Sequence, residues 1–169
     1  MPTSSTPLVA ILMGSDTDLS VMQHAADELA SFGIPHTMEV VSAHRSPERT
    51  AAFARSARQR GLKILIAGAG ASAALAGALA AETTLPVIGV PLATSPLVGF
   101  DALLSTAMLP AGVPVATMAV GVAGATNAAV LAAQILALSD ATLAQKLVEY
   151  KQGLVRKVEE KSKKLQARR

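Results

Sequence analysis

The sequence predicts an α/β fold in three layers, with helices on both faces of a parallel sheet of about five strands and a long helix at the C-terminus. Three observations predict it. Short apolar runs bounded by Gly, Pro or Ser recur along the chain, as buried parallel strands do. Stretches of helical periodicity separate them, and strands joined by crossover helices pair in parallel with right-handed connections. The length of 169 residues suits one domain and permits a core of its own.

The elements follow in order. Residues 1–7 are polar and read as a flexible lead, without the basic start and apolar run of a signal peptide. Leu8–Met13 is a continuous apolar strand ending at Gly14. A helix is predicted over 17–31, with Leu19, Met22, Ala26 and Leu29 inward, Asp27 and Glu28 outward, and Gly33 ending it. His36–Val41 is a second strand. Ser46 then Pro47 places a cap and a first helical residue, opening a helix that runs to about Arg60 and stops at Gly61. Lys63–Ala67 is the third strand, closed by Gly68-Ala69-Gly70. Short helices are predicted over 72–81 and 99–108, strands over Pro86–Val90 and Pro114–Val120, and an Ala-rich helix over 125–138. The last helix, about 140–166, carries the stripe Leu143, Leu147, Tyr150, Leu154, Val158 and Leu165. This is a flavodoxin-like order. It has no linker or repeat, so a single domain is expected over 1–169, its basic tail within 140–169.

Composition narrows the function classes. Hydrophobic residues are 51% and charged residues 16%, which excludes a disordered chain. Aromatics are 2% with no Trp, too few for a base-stacking surface. Cys is absent, so disulfide scaffolds, thiolate zinc sites and cysteine nucleophiles are excluded. The net charge of +3 is uneven: residues 151–169 hold eight Lys/Arg against two Glu, leaving −3 on residues 1–150. The helical stripe through the tail makes it a solvated helix face rather than a nucleic-acid arm. Residues 64–81 lack charge, long enough for a membrane span. They are mostly Ala and Gly without aromatic anchors, and they divide into a strand, a turn and a helix. No membrane and no nucleic acid are expected as partners, and the expected location is cytoplasmic. Residues 102–139 also carry no charge. One small domain has too much surface to hide them, so contact between copies of the chain is expected.

In open parallel sheets, ligands bind beyond the carboxyl ends of the strands. The loops there begin at Gly14-Ser15, Ser42-Ala43-His44-Arg45, Gly68-Ala69-Gly70-Ala71 and Leu92 to Ser95. Gly14-Ser15 before a helix suits an anion, through free backbone N–H groups and the helix dipole. Asp18 accepts hydrogen bonds, as sugar hydroxyls require. It can equally cap the helix. Together they point to a ribose phosphate. Arg45 supplies a fixed cation for phosphate or carboxylate. His44 beside it can serve as acid and base, or it can simply tie the loop down. His24 reads as a solvated helix residue, and His36 opens a strand at the opposite edge. No His, Asp and Glu set has metal-ligand spacing, and no dinucleotide, Walker or nucleophile-elbow motif is present.

Taken together, Met13-Gly14-Ser15-x-x-Asp18, Ser42-Ala43-His44-Arg45-x-Pro47, Ala67-Gly68-Ala69-Gly70, Pro86 to Pro91, Gly112-Val-Pro114 and Asn127 to Ile135 resemble the PurE family over about residues 8–150. Arg after the His resembles class I, the N5-carboxyaminoimidazole ribonucleotide mutases of purine (IMP) biosynthesis. Class II, which carboxylates aminoimidazole ribonucleotide directly with CO2, usually has Lys there. The resemblance implies an isomerase that needs no cofactor or metal and a homo-octameric assembly. His44 matches the family's catalytic histidine. It implies substrate-binding positions at Gly14, Ser15, Asp18, Ser42, Ala43, Arg45, Gly70 and Ala71. The chain departs from class I in two loops. Ala74 and Ala76 stand where class I has a second His and a Pro, and Leu92-Ala93-Thr94-Ser95 replaces a segment with Gln-Ser. These departures bear on the carboxyl donor more than on the nucleotide. They leave a direct carboxylase and a non-catalytic ribonucleotide-binding paralogue as alternatives.

Overall fold

The apolar run after Leu8 forms β1 (Val9–Met13), and every residue of it is buried. In the computed structural model, which describes residues 6–167, the elements that follow are α1 (Leu19–Phe32), β2 (His36–Val40), α2 (Pro47–Ser56), β3 (Ile64–Gly70), α3 (Leu75–Glu82), β4 (Val87–Leu92), α4 (Phe100–Ala107), β5 (Ala116–Thr117), α5 (Val122–Ala137) and α6 (Ala141–Gln166). Of the flexible lead expected over 1–7, all but the last two residues lie outside the described residues, as do Arg168 and Arg169 of the basic tail. The fold is the expected flavodoxin-like α/β type. Two compact units divide between Ala132 and Ala133.

In the first unit, a parallel sheet runs in the order β2-β1-β3-β4-β5. The chain moves outward from β1 to β2, then crosses back to β3. Right-handed crossovers therefore put the helices before and after that reversal on opposite faces. On one face, Ala10, Leu12, Leu65 and Ala67 pack with Phe53, Ala54, Leu75 and Leu79 of α2 and α3. On the other, α1 lies so close that a Cβ on Gly68 would collide with the Met22 side chain. The switch point between β1 and β3 is where ligands bind in such sheets. The second unit is dominated by α6, whose N-terminus is capped by the Asp140 carboxylate accepting from Leu143 N at 3.0 Å.

Several boundaries differ from expectation for identifiable reasons. Gly68 to Gly70 do not close β3 but extend it, paired with Val90, Pro91 and Leu92 of β4. Gly68 is required by packing against Met22, not by a turn. The predicted fifth strand over 114–120 shrinks to two residues, paired at Ile88 and Gly89. Beyond them Pro91 has no N–H to give, and its carbonyl accepts from Gly121 N at 2.9 Å instead. α2 ends at Ser56, whose hydroxyl donates back to Ala52 O at 2.8 Å and offers the backbone an alternative to continuing. α3 starts at Leu75 rather than 72, because Ala71 adopts a left-handed φ of 49°. Leu19 is not inward. It is 47% exposed and borders a hollow of about 140 Å³ with Met13, Met38 and Val40. Asp27 is exposed as expected, but Glu28 is half-buried. The uncharged stretch 64–81 divides into β3, a turn and α3. Among the described residues, no helix is long and apolar enough to cross a membrane.

Candidate active site

The carboxyl ends of β1, β2, β3 and β4 and the loops that follow them border a cavity of about 340 Å³ at one edge of the first unit. Gly14, Ser15, Thr17 and Asp18 follow β1. Ser42, Ala43, His44 and Arg45 follow β2. Ala69 and Gly70 end β3, Ser72, Ala73, Ala74 and Leu75 follow it, and Thr94 follows β4. Of the nine residues expected at the site, eight line this cavity. The exception is Ala71, which is exposed at the turn and is not part of the lining. Sequence reasoning did not single out Thr17, Ser72, Ala73, Leu75 and Thr94. Their position in strand-end loops was the available signal, but spacing does not say which loop side chains turn inward.

The β1 loop is a compact hydrogen-bonded turn over Asp16–Asp18. Ser15 caps it, and the Asp18 carboxylate accepts from Ser15 N at 3.2 Å, a reciprocal capping box. Asp18 therefore caps a helical turn and lines the cavity at once. Burial pushes its carboxyl above the ordinary range. The Ser15 amide and the positive charge of Arg45 oppose that push, and Asp16 adds to it. The free backbone N–H groups expected at Gly14-Ser15 are not free. Gly14 N donates to Gly68 O at 3.3 Å, and Ser15 N is taken by Asp18. The Gly14 and Ser15 amides are therefore committed within the protein, and side chains of the cavity offer donors in their place.

Arg45 is the principal one. One Nη2–H donates to Gly14 O at 2.8 Å, and Nε lies 3.5 Å from Ser42 Oγ. That pins the guanidinium across the β1 and β2 loops with further N–H groups left for a ligand. Ser42 Oγ also accepts from Arg45 N at 3.2 Å, keeping its own proton for donation. Ser46 occupies the cap position of α2 but makes no side-chain cap bond. Its hydroxyl turns back to Ser42 instead. His44 is exposed at the cavity. Among the described residues its ring makes no hydrogen bond, so it does not tie the loop down. Ser42, Arg45 and Ser46 do that. The ring is left available to a ligand.

The other histidines lie elsewhere. His24 is exposed on α1, and His36 Nδ1 sits 3.0 Å from Ile34 O at the amino edge of the sheet. Across the cavity, Gly70 admits no side chain, because a Cβ would collide with Thr94 Oγ1. Of the residues that depart from the class I pattern, Ala74 and Thr94 face the cavity. Ala76 is buried in the core, and Ala93 is exposed outside the lining.

A family model described as AIR carboxylase matches residues 8–157. The chain belongs to this family. An N5-carboxyaminoimidazole ribonucleotide mutase of Pyrococcus horikoshii is 48% identical over 96% of this chain and 91% of its own length. One from Bacillus subtilis is 51% identical over 94% of this chain and 98% of its own. The crystal structure of Treponema denticola PurE superposes with a TM-score of 0.83 at 32% identity, covering 94% of this chain and 98% of that one. In this member of the AIR carboxylase family, His44, Arg45, Ser15 and Asp18 line a single cavity.

Proposed function

We propose that the chain is an isomerase that converts N5-carboxyaminoimidazole ribonucleotide into 4-carboxy-5-aminoimidazole ribonucleotide, in the cytoplasm and in purine biosynthesis. One observation carries the reading. His44, unbonded, shares a cavity with Arg45, Ser15 and Asp18, in a chain about half identical to mutases over nearly its whole length. Arg45 and the Ser15 and Ser42 hydroxyls hold the phosphate, and the Asp18 carboxylate accepts from ribose hydroxyls.

In the proposed reaction, the C–N bond of the N5-carboxylate breaks and its electron pair passes to nitrogen, which takes a proton from the His44 imidazolium. CO2 is released within the cavity. C4 then attacks the CO2 carbon, and neutral His44 removes the C4 proton. The proton lent in the first half returns in the second, so the sequence of steps closes without redox change. The decisive test offers two substrates separately: the N5-carboxylated ribonucleotide, and aminoimidazole ribonucleotide with bicarbonate. Conversion of the first at the higher kcat/KM is expected. Rapid conversion of the second alone would replace the mutase with a direct carboxylase, a reading that Ala74 on the cavity wall favours. Ligand-induced stabilisation without turnover of either would leave a ribonucleotide-binding protein.

A homo-octamer is part of the same reading. Leu97, Val98, Phe100, Leu104 and Met108 are all exposed, an apolar run of a kind that soluble monomers rarely leave uncovered. Sedimentation velocity should give a particle of eight chain masses. A monomer at micromolar concentration would refute the assembly.

A further inference from the structure

We infer that Ser46 is a positioning residue for His44, acting as a clip that closes the loop between β2 and α2. This rests on the acid–base role proposed for His44. The clip is made of both backbone polar groups of Ser42. The Ser46 hydroxyl donates to Ser42 O at 3.0 Å and accepts from Ser42 N at 3.3 Å. Ser46 N also donates to Ser42 O at 2.9 Å. At the same time the Ser46 carbonyl accepts from Thr50 N and from the Thr50 hydroxyl, each at 3.1 Å, and Thr50 is buried. One residue thus binds Ser42, near the start of the loop, to the first turn of α2.

The placement runs against local preference. Ser at a helix cap normally spends its oxygen on the first free N–H groups of the helix. Here it leaves them and bonds backward across four residues. Sequence rules broken in this way mark sites where another demand prevails. The demand here is geometric. His44 makes no hydrogen bond of its own among the described residues, so where its ring stands depends on how the loop backbone around it is held. Arg45 has a second anchor in the β1 loop, through Gly14 O, and Ser15 and Asp18 lie outside the clipped loop altogether. Loosening the clip should therefore displace the imidazole more than it weakens the nucleotide grip.

The test compares Ser46→Ala and Ser46→Thr with the parent enzyme, well below their unfolding midpoints. Ser46→Ala is expected to lower kcat about tenfold to a hundredfold, as a misplacement of about 1 Å does, with KM within about threefold of the parent. Ser46→Thr keeps the hydroxyl and should recover most of the loss. A second readout is independent of turnover: in isotope-labelled protein, the His44 ring resonance, assigned by its absence in His44→Asn, should be single in the parent and broadened or split in Ser46→Ala. An unchanged kcat and an unchanged His44 signal in Ser46→Ala would overturn the clip. So would a failure of Thr to rescue a variant that remains folded. If the parent converts neither substrate, the proposed reaction fails, and the ring signal still decides whether Ser46 positions His44.

Discussion

Replacing His44 with Asn is expected to lower kcat by roughly 10²- to 10⁴-fold, the usual worth of a general acid–base group. The amide fills much of the same space and keeps hydrogen-bonding capacity, but it cannot carry a proton. Both halves of the proposed reaction need that proton, first at the departing nitrogen and then from C4. Binding should change little, because the groups assigned to the nucleotide are Ser15, Asp18, Ser42 and Arg45. The Arg45 anchor to Gly14 O does not involve the imidazole. The measurements are steady-state turnover on the N5-carboxylated ribonucleotide and the thermal shift the nucleotide produces. A variant that keeps more than about a tenth of parental kcat contradicts acid–base catalysis by His44.

Asp18→Asn should move stability and affinity in opposite directions. Burial holds the Asp18 carboxyl above its ordinary pKa, so the folded protein takes up its proton more readily than the unfolded chain does. The associated stability is fully present below the unfolded pKa and is lost as pH rises through the folded one. At neutral pH the ionised carboxylate is therefore a net burden on the fold. Asn removes that charge and can still accept from Ser15 N. The variant should unfold at or above the parental midpoint at pH 7, and the difference should close on acidification. Ligand affinity should fall instead. Losing a charged acceptor for ribose hydroxyls costs about 1.5–3 kcal/mol, roughly tenfold to a hundredfold. A variant less stable than the parent at pH 7 would mean that the Ser15 bond and the Arg45 charge outweigh desolvation. Unchanged affinity would remove Asp18 from the nucleotide site.

The two residues also show what a sequence reveals at different levels. His44 was legible because it follows a predicted strand beside Arg45, and in a parallel sheet the ends of strands converge. Asp18 was legible only as two alternatives, cap or ligand acceptor, and the folded loop realises the cap while keeping the carboxylate on the cavity. Ala71 lies off the cavity lining because its left-handed backbone at φ 49° turns the chain outward, a property that alanine does not advertise. Thr17, Ser72 and Thr94 were passed over for the converse reason: polar loop residues carry no periodicity that tells inward from outward. The Gly14-Ser15 amides looked free in the sequence because their acceptors, Gly68 O and the Asp18 carboxylate, come into reach only in the folded loops.

The sequence by itself determined the alternation of strands and helices, the parallel sheet and the edge at which the cavity lies. Burial imposes a period on apolar residues, and crossover connections leave few arrangements open. Tertiary structure alone decided which polar groups are free for a ligand and which are consumed. The reason lies in contacts such as Arg45 to Gly14 O, made across 31 residues, and the collision that bars any side chain from Gly70 beside Thr94. Such meetings depend on how loops from different strands come together, and no local spacing records them.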